Sequence, residues 1–380
     1  MDFKDKVYRA LLGIALLCIP VIILMLILGY GVLTGPVVVG FFVFLAIGIR
    51  GLPHLKGFAF TVWVFAAVAY AMYYPSHIHE IRGFNTEALI VPLIQLIMFG
   101  MGTAMSIQDF AGVVKMPKGV FVGLICQFSI MPVVGFSLAV ATGFPAEIAA
   151  GIVLIGSSPS GVASNVMAYL ARGNLALSVT LTSVATLIAP VMTPFLMQMF
   201  AGQFVPIDFF AMFLSIFNMI ILPIVAGLIF NRIFRGKARW LHEAMPVISM
   251  AGIVIIIAVI TAAGRDNLLV IGPLLVLAAI IHNAAGYFFG YWGCRLFGLN
   301  KKDSRTIAFE VGMQNGGLAS GIAVDMGRAA TMGLAPAIFG PWMNVSGSFL
   351  ANYWRDRATG DEDKDGQEEM GRPAGEHETS

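Results

Sequence analysis

Charged residues are scarce in this sequence. Asp, Glu, Lys and Arg together make up 12% of the 380 residues, about half the share found in soluble domains. Hydrophobic residues make up 58%, and the mean hydropathy is +0.86. This composition excludes an ordinary soluble domain and predicts a polytopic all-α protein in a lipid bilayer. The formal net charge of only +2 gives no reason to expect a nucleic-acid partner.

Cysteine is scarce as well. Cys18, Cys126 and Cys294 lie in or beside apolar segments and lack the spacing of metal ligands. We therefore expect them to pack as small hydrophobic side chains and expect no transition-metal site. A cleavable signal peptide is not expected either, because the first apolar segment is too long and lacks a small-residue cleavage site.

Long apolar segments recur along the whole chain. Residues 10–49 contain no charged side chain, and as one helix they would be about 60 Å long, twice a ~30 Å hydrocarbon core. Three glycines and a proline within residues 29–36 predict a turn, so this segment is interpreted as a hairpin of two spans. Ten further spans are predicted, which gives twelve in all. They are residues 57–74, 88–106, 119–141, 147–170, 175–200, 207–230, 245–263, 268–293, 305–325 and 330–353.

Lys and Arg residues are distributed unevenly over the predicted loops. With a cytoplasmic N-terminus, twenty of them fall in cytoplasmic loops or in the termini, and only Arg82, Arg265 and Arg328 fall on the opposite side. Membrane proteins keep basic residues in their cytoplasmic loops. The distribution therefore predicts a multi-pass protein of the inner (plasma) membrane with both termini cytoplasmic. Residues 355–380 are polar and acidic and are predicted to form a disordered cytoplasmic tail.

Two predicted spans contain segments that a helix in lipid would avoid. Residues 156–165, GSSPSGVASN, interrupt the sixth span with serines, glycines and a proline. Residues 309–317, FEVGMQNGG, interrupt the eleventh span with glycines, two amides and the carboxylate of Glu310. Unwound backbone persists in a membrane only inside protein or beside a wet cavity. Because the interruptions lie five spans apart, they predict an inverted five-plus-five repeat with its site at the midplane.

Glu310 is the strongest candidate for a functional residue in these segments. A carboxylate at the centre of a membrane helix costs about 2.5 kcal/mol or more, so it rarely persists without a role. The donors near it are carboxylate, amide, hydroxyl and carbonyl oxygens, which suit a hard cation rather than zinc or copper. Either Na⁺ or a proton would neutralise the charge. The residues alone therefore leave both a sodium-coupled and a proton-coupled carrier open.

Two other functional classes have weaker support. An intramembrane serine hydrolase would use Ser160 or Ser164 as its nucleophile and His282 as its base, but His282 has no evident carboxylate partner to orient it. A channel is disfavoured because crossed broken helices form a closed site rather than a continuous pore. For His282 and the adjacent Asn283 we prefer a packing role.

At these residues the chain resembles the bile acid:sodium symporter family, including its bacterial members. The stretches that carry the resemblance run through the last ten spans in the order typical of the family. They are IMFGMG (97–102), CQFSIMP (126–132), GVASNVMAYLARGNLALSVTLTSVATLIAP (161–190), HNAAGY (282–287), EVGMQNGGLAS (310–320) and NVSGSFLANYW (344–354).

The resemblance implies a fold and an activity. Members of the family have ten spans in an inverted repeat, with two crossed discontinuous helices in a core domain and a panel domain beside it. They couple two sodium ions to the import of an organic anion. By this resemblance, residues 56–354 are the transporter unit, with a panel at 56–106 and 207–263 and a core at 107–206 and 264–354.

The resemblance also implies ligands for two Na⁺ ions. The first ion would be bound by Ser164, Asn165, Ser178, Thr182 and Glu310. The second would be bound by Gln127, Glu310, Gln314 and the carbonyl groups of Val311 and Met313. Every polar residue of both sets is present. Glu310 would be shared, so that one carboxylate offsets part of the charge of both ions.

The sequence departs from the family in two places. The hairpin within residues 1–55 has no counterpart in the ten-span members. The implied substrate-binding residues are Val162, Ala163, Asn315 and Asn344, and Val162 stands where relatives often carry a small hydroxyl residue. The anion is therefore left open among bile acids, small keto acids and vitamin-like carboxylates, and no pattern predicts an oligomeric state.

Overall fold

The computed structural model describes residues 3–52, 55–234 and 239–359, and most of these residues are helical. Within these ranges, eight helical segments are long and apolar enough to cross a membrane. The shorter helices Ala59–Tyr73 and Ala146–Ser157 are apolar as well. The chain is therefore an all-α polytopic membrane protein.

The described residues form seventeen α-helices and one small β-hairpin. The helices are α1 (Phe3–Ile27), α2 (Gly35–Gly48), α3 (Ala59–Tyr73), α4 (Pro75–His79), α5 (Ile90–Ala104), α6 (Ala111–Lys115), α7 (Pro117–Thr142), α8 (Ala146–Ser157), α9 (Ala163–Leu170), α10 (Leu175–Leu196), α11 (Phe209–Ile216), α12 (Leu222–Phe234), α13 (Arg239–Ala263), α14 (Arg265–Leu296), α15 (Lys301–Gly312), α16 (Gly316–Asp325) and α17 (Leu334–Arg355). The strands β1 (Glu80–Ile81) and β2 (Phe84–Asn85) are antiparallel. Short 3-10 segments occupy Gly31–Thr34, Ile49–Gly51, Lys56–Phe58, Thr86–Leu89 and Ile107–Phe110, and π-helical turns occupy Met197–Ala201 and Phe217–Ile221.

The helices α1 and α2 form an antiparallel hairpin at the periphery of the bundle. Gly29 and Gly31, in the connection, have φ angles of 73° and 48°, which glycine adopts without strain. A side chain at Gly48 would collide with Leu12, so the two helices approach closely. α2 also packs against α3. Of the residues in α1 only Ala15 is buried, so most of this helix faces outward.

The helices α3, α5, α12 and α13 pack together as a second group. α5 contacts α12 and α13, and α13 contacts α3. A Cβ atom at Gly102 would lie 2.3 Å from the carbonyl oxygen of Ile224, and one at Gly227 would lie 2.3 Å from that of Phe99. Small residues thus allow α5 and α12 to bring their backbones together, as is common for helices in membranes.

A third group of helices surrounds the two interrupted segments. α14 packs against α7, α15 and α17, and α7 packs against α8 and α10. Large side chains that are fully buried, among them Ile155, Phe309 and Phe339, fill the space between these helices. Close packing of this kind leaves the interrupted segments little freedom to move relative to their surroundings.

The two interruptions meet each other, and we call residues 158–162 and 313–315 the crossing. α8 ends at Ser157 and α9 begins at Ala163, whereas α15 ends at Gly312 and α16 begins at Gly316. Ser160 pairs with Gln314 in an isolated antiparallel bridge. The Gly161 amide donates to the Met313 carbonyl at 2.9 Å, and the Asn315 amide donates to the Pro159 carbonyl at 2.8 Å. Backbone groups freed by one break are therefore satisfied by the other.

The chain just beyond α17 packs against the bundle. Arg305 in α15 is buried and donates hydrogen bonds to the carbonyl oxygens of Trp354, Arg357 and Ala358 at 3.2, 3.0 and 3.3 Å. A buried guanidinium requires such acceptors, which holds these residues in place. The chain from Asp356 to Thr359 is thus held against the bundle. The part of the predicted disordered tail that covers residues 360–380 lies outside the described residues.

Candidate ion and substrate site

Glu310 lies at the centre of a buried polar cluster. It is in α15, shortly before the break, and only 2% of its surface is exposed. Its Oε1 atom accepts hydrogen bonds from the hydroxyl groups of Ser164 and Ser178 at 2.6 and 2.5 Å. Its Oε2 atom accepts one from Thr182 at 2.8 Å. Residues from α9 and α10 thus converge on one carboxylate of α15.

Asn165 completes what we call the carboxylate cluster, which consists of Glu310, Ser164, Ser178, Thr182 and Asn165. The Oδ1 atom of Asn165 lies 2.8 Å from the Ser178 hydroxyl and 3.1 Å from the Thr182 hydroxyl. The Ser164 hydroxyl also faces the Gly161 carbonyl at 2.8 Å. Each hydroxyl therefore faces two acceptors with a single proton to donate. Oxygen lone pairs outnumber protons here, which is the arrangement that a hard cation prefers.

A second polar group runs from α7 to α15 past the crossing, and we call it the amide chain. It consists of the Gln127 and Gln314 side chains and the Val311 carbonyl. The Gln127 Nε2 atom donates to the Ser158 carbonyl at 3.0 Å and to Gln314 Oε1 at 2.6 Å. Gln314 Nε2 in turn donates to the Val311 carbonyl. Both amide protons of Gln127 are used, and its buried Oε1 atom has no hydrogen-bond partner within the described part of the chain.

Side chains of α14 and α17 form hydrogen bonds at the C-terminal end of α15, next to the break. A helix that stops leaves its last carbonyl groups without backbone partners. The Gly312 carbonyl accepts a hydrogen bond from Asn283 Nδ2 at 2.7 Å. The Asn283 Oδ1 atom accepts one from Ser346 at 2.5 Å, and Tyr287 lies 3.2 Å from the same serine hydroxyl. This network orients the end of α15. The sequence motifs contain Asn283 and Ser346, but hydrophobic patterning gives no sign of their contact.

The structure therefore brings the residues implied as sodium ligands into two adjacent groups. The five assigned to the first ion are all in the carboxylate cluster. Of those assigned to the second ion, Gln127, Gln314 and Val311 form the amide chain, and the Met313 carbonyl lies at the crossing. The Glu310 carboxylate accepts its three well-formed hydrogen bonds from the first group, and the Ser160 hydroxyl at the crossing also lies near it. Within the described ranges no group of three or more His, Cys, Asp or Glu residues could hold a metal ion.

A cavity of about 540 Å³ lies beside the crossing. One wall is formed by the crossing with α9, α16 and α17, and the other by α3, α5 and α13. The four implied substrate-binding residues, Val162, Ala163, Asn315 and Asn344, all line it. The lining contains no charged side chain and seven methionines, whose flexible side chains adapt to ligands of different shapes.

Two helix N-termini face this cavity. α9 begins at Ala163, and α16 begins at Gly316 with the Asn315 side chain accepting a hydrogen bond from the Leu318 amide at 3.0 Å. Gly161, Val162, Gly316 and Gly317 line the cavity. Backbone amides and the positive end of the helix dipole favour a negative charge at such a position. The cavity therefore combines an apolar surface with an edge whose electrostatics favour negative charge.

The residues of the serine hydrolase alternative are not arranged for catalysis. The Ser164 hydroxyl is engaged by Glu310 and the Gly161 carbonyl. His282 is fully buried against Phe339, and its ring nitrogens have no hydrogen-bond partner among the described residues. A nucleophilic serine needs an adjacent base, and neither Ser160 nor Ser164 has one in His282.

Comparison with known proteins identifies the family. The pattern of the sodium bile acid symporter family matches residues 91–271. A protein of Bacillus subtilis (strain 168), described as an uncharacterized sodium-dependent transporter, is 40% identical over 307 residues, which are 80% of this chain and 94% of that protein. The chain belongs to the sodium bile acid symporter family. The resemblance found in the sequence motifs is thereby confirmed.

More distant relatives extend into plants and animals. A probable chloroplastic sodium/metabolite cotransporter of Arabidopsis thaliana is 32% identical over 297 residues, covering 78% of this chain and 73% of that protein. The ileal sodium/bile acid cotransporter of Homo sapiens is 33% identical over 254 residues, covering 65% of this chain and 72% of that protein. Members of this family are transporters, so this chain is a membrane transporter rather than an enzyme.

Proposed function

We propose that this protein is a symporter that couples the inward movement of sodium to the import of an organic anion. The observation that carries the proposal is the carboxylate cluster, where oxygen atoms from α9, α10 and α15 surround a buried glutamate with too few protons to satisfy them. A Na⁺ ion supplies the missing positive charge. The names of the relatives, which are sodium-dependent transporters and cotransporters, support the same coupling ion.

The first sodium ion is assigned to the carboxylate cluster. Glu310 supplies the charge, Asn165 supplies an amide oxygen, and Ser164, Ser178 and Thr182 supply hydroxyl oxygens. Binding of Na⁺ lets the three hydroxyl protons turn toward other acceptors, such as the Gly161 carbonyl at 2.8 Å from Ser164. All five residues are hard oxygen donors of the kind that suit this ion.

The second sodium ion is assigned to the amide chain beside the crossing. Gln127 and Gln314 supply amide oxygens, and Val311 and Met313 supply carbonyl oxygens. The unpartnered Oε1 atom of Gln127 supports this assignment, because a buried oxygen without a partner is costly unless a ligand satisfies it. Glu310 lies one residue before Val311 and contributes its charge to both ions.

The substrate is assigned to the cavity beside the crossing, between the helices α3, α5 and α13 on one side and α9, α16 and α17 on the other. Its acidic group would bind at the N-termini of α9 and α16, near Ala163 and Asn315, and Val162 and Asn344 would contact the rest of the molecule. The absence of charged residues from the lining and its methionines favour an anion with an apolar body. The relatives named as bile acid and metabolite cotransporters support an organic substrate.

The architecture that fits this activity is an inverted repeat of ten spans preceded by an extra hairpin, twelve spans in all. The interrupted helices α8–α9 and α15–α16 occupy equivalent places in the two halves. The panel would be residues 56–106 and 207–263, which contain the group of α3, α5, α12 and α13. The core would be residues 107–206 and 264–354, which contain both breaks. Transport would proceed by movement of the panel against the core around a fixed site.

Both termini are expected on the cytoplasmic side of the inner membrane. Asn174 donates to Asp303 at 2.8 Å and Arg305 donates to the Ala171 carbonyl at 3.3 Å, so two of the basic loops lie at the same end of the bundle, as this orientation requires. The cavity lies toward this end, since it is lined by the start of α3 and the end of α5. In the proposed orientation this end is cytoplasmic, which would make the conformation inward-facing. A reporter fused after residue 380 that was found outside the cytoplasm would contradict this orientation.

A thermal-shift screen of carboxylates with and without sodium tests the proposed function. A ligand that binds only the folded state raises the melting temperature, and coupled ligands reinforce each other. We expect a true substrate to stabilise the purified protein much more in sodium than in an equal concentration of potassium. Uptake measured at fixed pH then separates sodium coupling from proton coupling. Substrate binding and uptake that are indifferent to sodium would overturn the proposal.

A further inference from the structure

The Ser160 hydroxyl is buried and unsatisfied at the centre of the crossing. Only 1% of the residue is exposed; its hydroxyl lies near the Glu310 carboxylate, but its Oγ atom makes no well-formed hydrogen bond among the described residues. Of the neighbouring serines, Ser158 donates to the Leu154 carbonyl at 2.8 Å and Ser164 to Glu310 at 2.6 Å, whereas Ser157 at the end of α8 is also buried without a partner in the described part of the chain. An unsatisfied buried hydroxyl costs free energy comparable to a lost hydrogen bond, so its persistence calls for a partner.

The backbone pairing at the crossing fixes where this hydroxyl points. Ser160 and Gln314 are opposite each other in the antiparallel bridge, and the two hydrogen bonds of that bridge are made by their neighbours. In such a non-hydrogen-bonded pair the two side chains project to the same face and lie close together. The Ser160 hydroxyl therefore lies beside the Gln314 side chain, which is the middle member of the amide chain.

The amide chain contains one oxygen acceptor without a partner. The donors of Gln127 go to Ser158 and Gln314, and Gln314 Nε2 donates to Val311. Gln127 Oε1 remains without a partner. Two unsatisfied oxygens, one from Gln127 and one from Ser160, thus flank the same Gln314 side chain. A hard cation would satisfy both oxygens at once, because each offers lone pairs to it.

We propose that Ser160 is an additional ligand of the second sodium ion, so that this site takes a hydroxyl oxygen from the first broken helix as well as oxygens from the second. This inference rests on the proposed function. The second ion would then contact both interrupted helices, through Ser160 of the first and Gln314 of the second. The first ion does the same through Ser164 and Glu310. Both ions then hold α9 and α15 in fixed relation at the edge of the substrate cavity.

Sodium titration of the purified full-length protein by calorimetry tests this role. In Ser160→Ala and in the nearly isosteric Ser160→Cys, whose sulfur is a poor ligand for a hard cation, we expect sodium affinity to fall about five- to tenfold. We also expect the cooperativity of sodium binding to decrease, because one site is weakened selectively. Ser160→Thr keeps the hydroxyl and should retain more of the wild-type affinity than either.

A matched control is Ser137→Ala in α7, whose hydroxyl donates to the Val133 carbonyl of its own helix at 2.8 Å. The melting temperature without sodium reports on folding, so a serine that only packs would change it and leave the sodium titration as in the wild type. Normal sodium binding in folded Ser160→Ala or Ser160→Cys overturns the inference and leaves the proposed function intact. Absence of sodium binding in the wild type itself would instead overturn the proposed function.

Discussion

The crossing and the N-terminal hairpin differ in how their residues are accommodated in the bilayer. At the crossing, polar side chains and opened backbone are buried, and their partners come from helices far away in the chain, such as Gln127 and Gln314, 187 residues apart. In the hairpin, α1 is apolar, contacts α2 and the short segments beside it, and has one buried residue. A polar group at membrane depth needs hydrogen-bond partners from the protein, whereas an apolar side chain is stable in contact with lipid.

This difference indicates where substitutions will matter. A side chain removed from the crossing leaves another buried polar group without its partner, and the cost of that group is large in a low-dielectric interior. A side chain removed from the outer face of α1 exchanges one apolar contact with lipid for another. We therefore expect effects on ion binding to be concentrated at the crossing and effects of the hairpin to be confined to stability.

The largest effect is expected from joining the core to the panel. Phe58 and Phe349 have ring centroids 5.4 Å apart and lie on opposite sides of the proposed boundary. Replacing both by cysteine, with Cys18→Ser as background, and linking them with a short bifunctional thiol reagent should abolish transport, because the two bodies could no longer move. Uptake by the same variant before linking provides the reference.

Two aromatic pairs provide matched controls for that link. Phe42 and Phe65 join α2 to α3 at 5.9 Å, and Phe136 and Phe200 lie within the core at 5.5 Å. Linking either pair should leave transport active, since the hairpin contacts α3 of the panel and the core moves as one body. Equal loss of transport in all three linked variants would contradict this division of the molecule.

The next largest effect is expected at Glu310. Glu310→Gln keeps the size of the side chain and removes its charge, so both cations would face a neutral site in a low-dielectric interior. Sodium affinity should fall at least about tenfold, equivalent to ~1.4 kcal/mol, and substrate affinity at fixed sodium should fall with it. Calorimetry or tryptophan fluorescence of the purified protein measures both.

The surface variant Glu87→Gln is the control for Glu310, because its carboxylate lies 3.7 Å from His79 and away from the crossing. It should bind sodium normally. A folded Glu310→Gln protein with unchanged sodium affinity would falsify the assignment. Tight substrate binding without sodium in that variant would favour the proton-coupled alternative, since glutamine resembles the protonated acid.

A smaller effect is expected from a single hydroxyl of the carboxylate cluster. Thr182→Val removes the donor to Glu310 at 2.8 Å and preserves the shape of the side chain. Sodium affinity should fall about three- to tenfold, the range expected for one ligand among several. Thr186→Val, one turn further along α10, removes a hydroxyl bonded to the Thr182 carbonyl at 2.7 Å and should change sodium affinity little. Equal sodium affinity in the two variants would argue against Thr182 as a ligand.

The smallest effect on ion binding is expected from the hairpin. Deleting residues 10–49 removes most of α1 and all of α2, of which α2 packs on α3, and it removes no residue of either polar group at the crossing. Expression and melting temperature should fall, while the sodium affinity of the purified variant stays within about twofold of the wild type. A folded deletion variant that no longer binds sodium would show that the hairpin supports the site directly.

Much of the architecture could be predicted from local features of the sequence. The apolar segments, the turn near Gly29, and the proline and glycine residues at both breaks each act within a few residues of their position, and the structure has helices and interruptions at those places. The polar composition after residue 355 gives no sign that Arg305, about 50 residues earlier in the chain, binds carbonyl groups there.

The sequence by itself determined the class of the protein, the positions of its apolar helices and the two breaks, because hydropathy and backbone chemistry are properties of short segments. It also singled out Glu310, since a carboxylate within an apolar run is conspicuous wherever it lies. Only the tertiary structure decided which groups meet. Ser164 and Ser178 reach Glu310 across 146 and 132 residues of chain, and Ser160 faces Gln314 because the breaks pair. Such contacts depend on how distant helices pack, and no pattern within one helix encodes that arrangement.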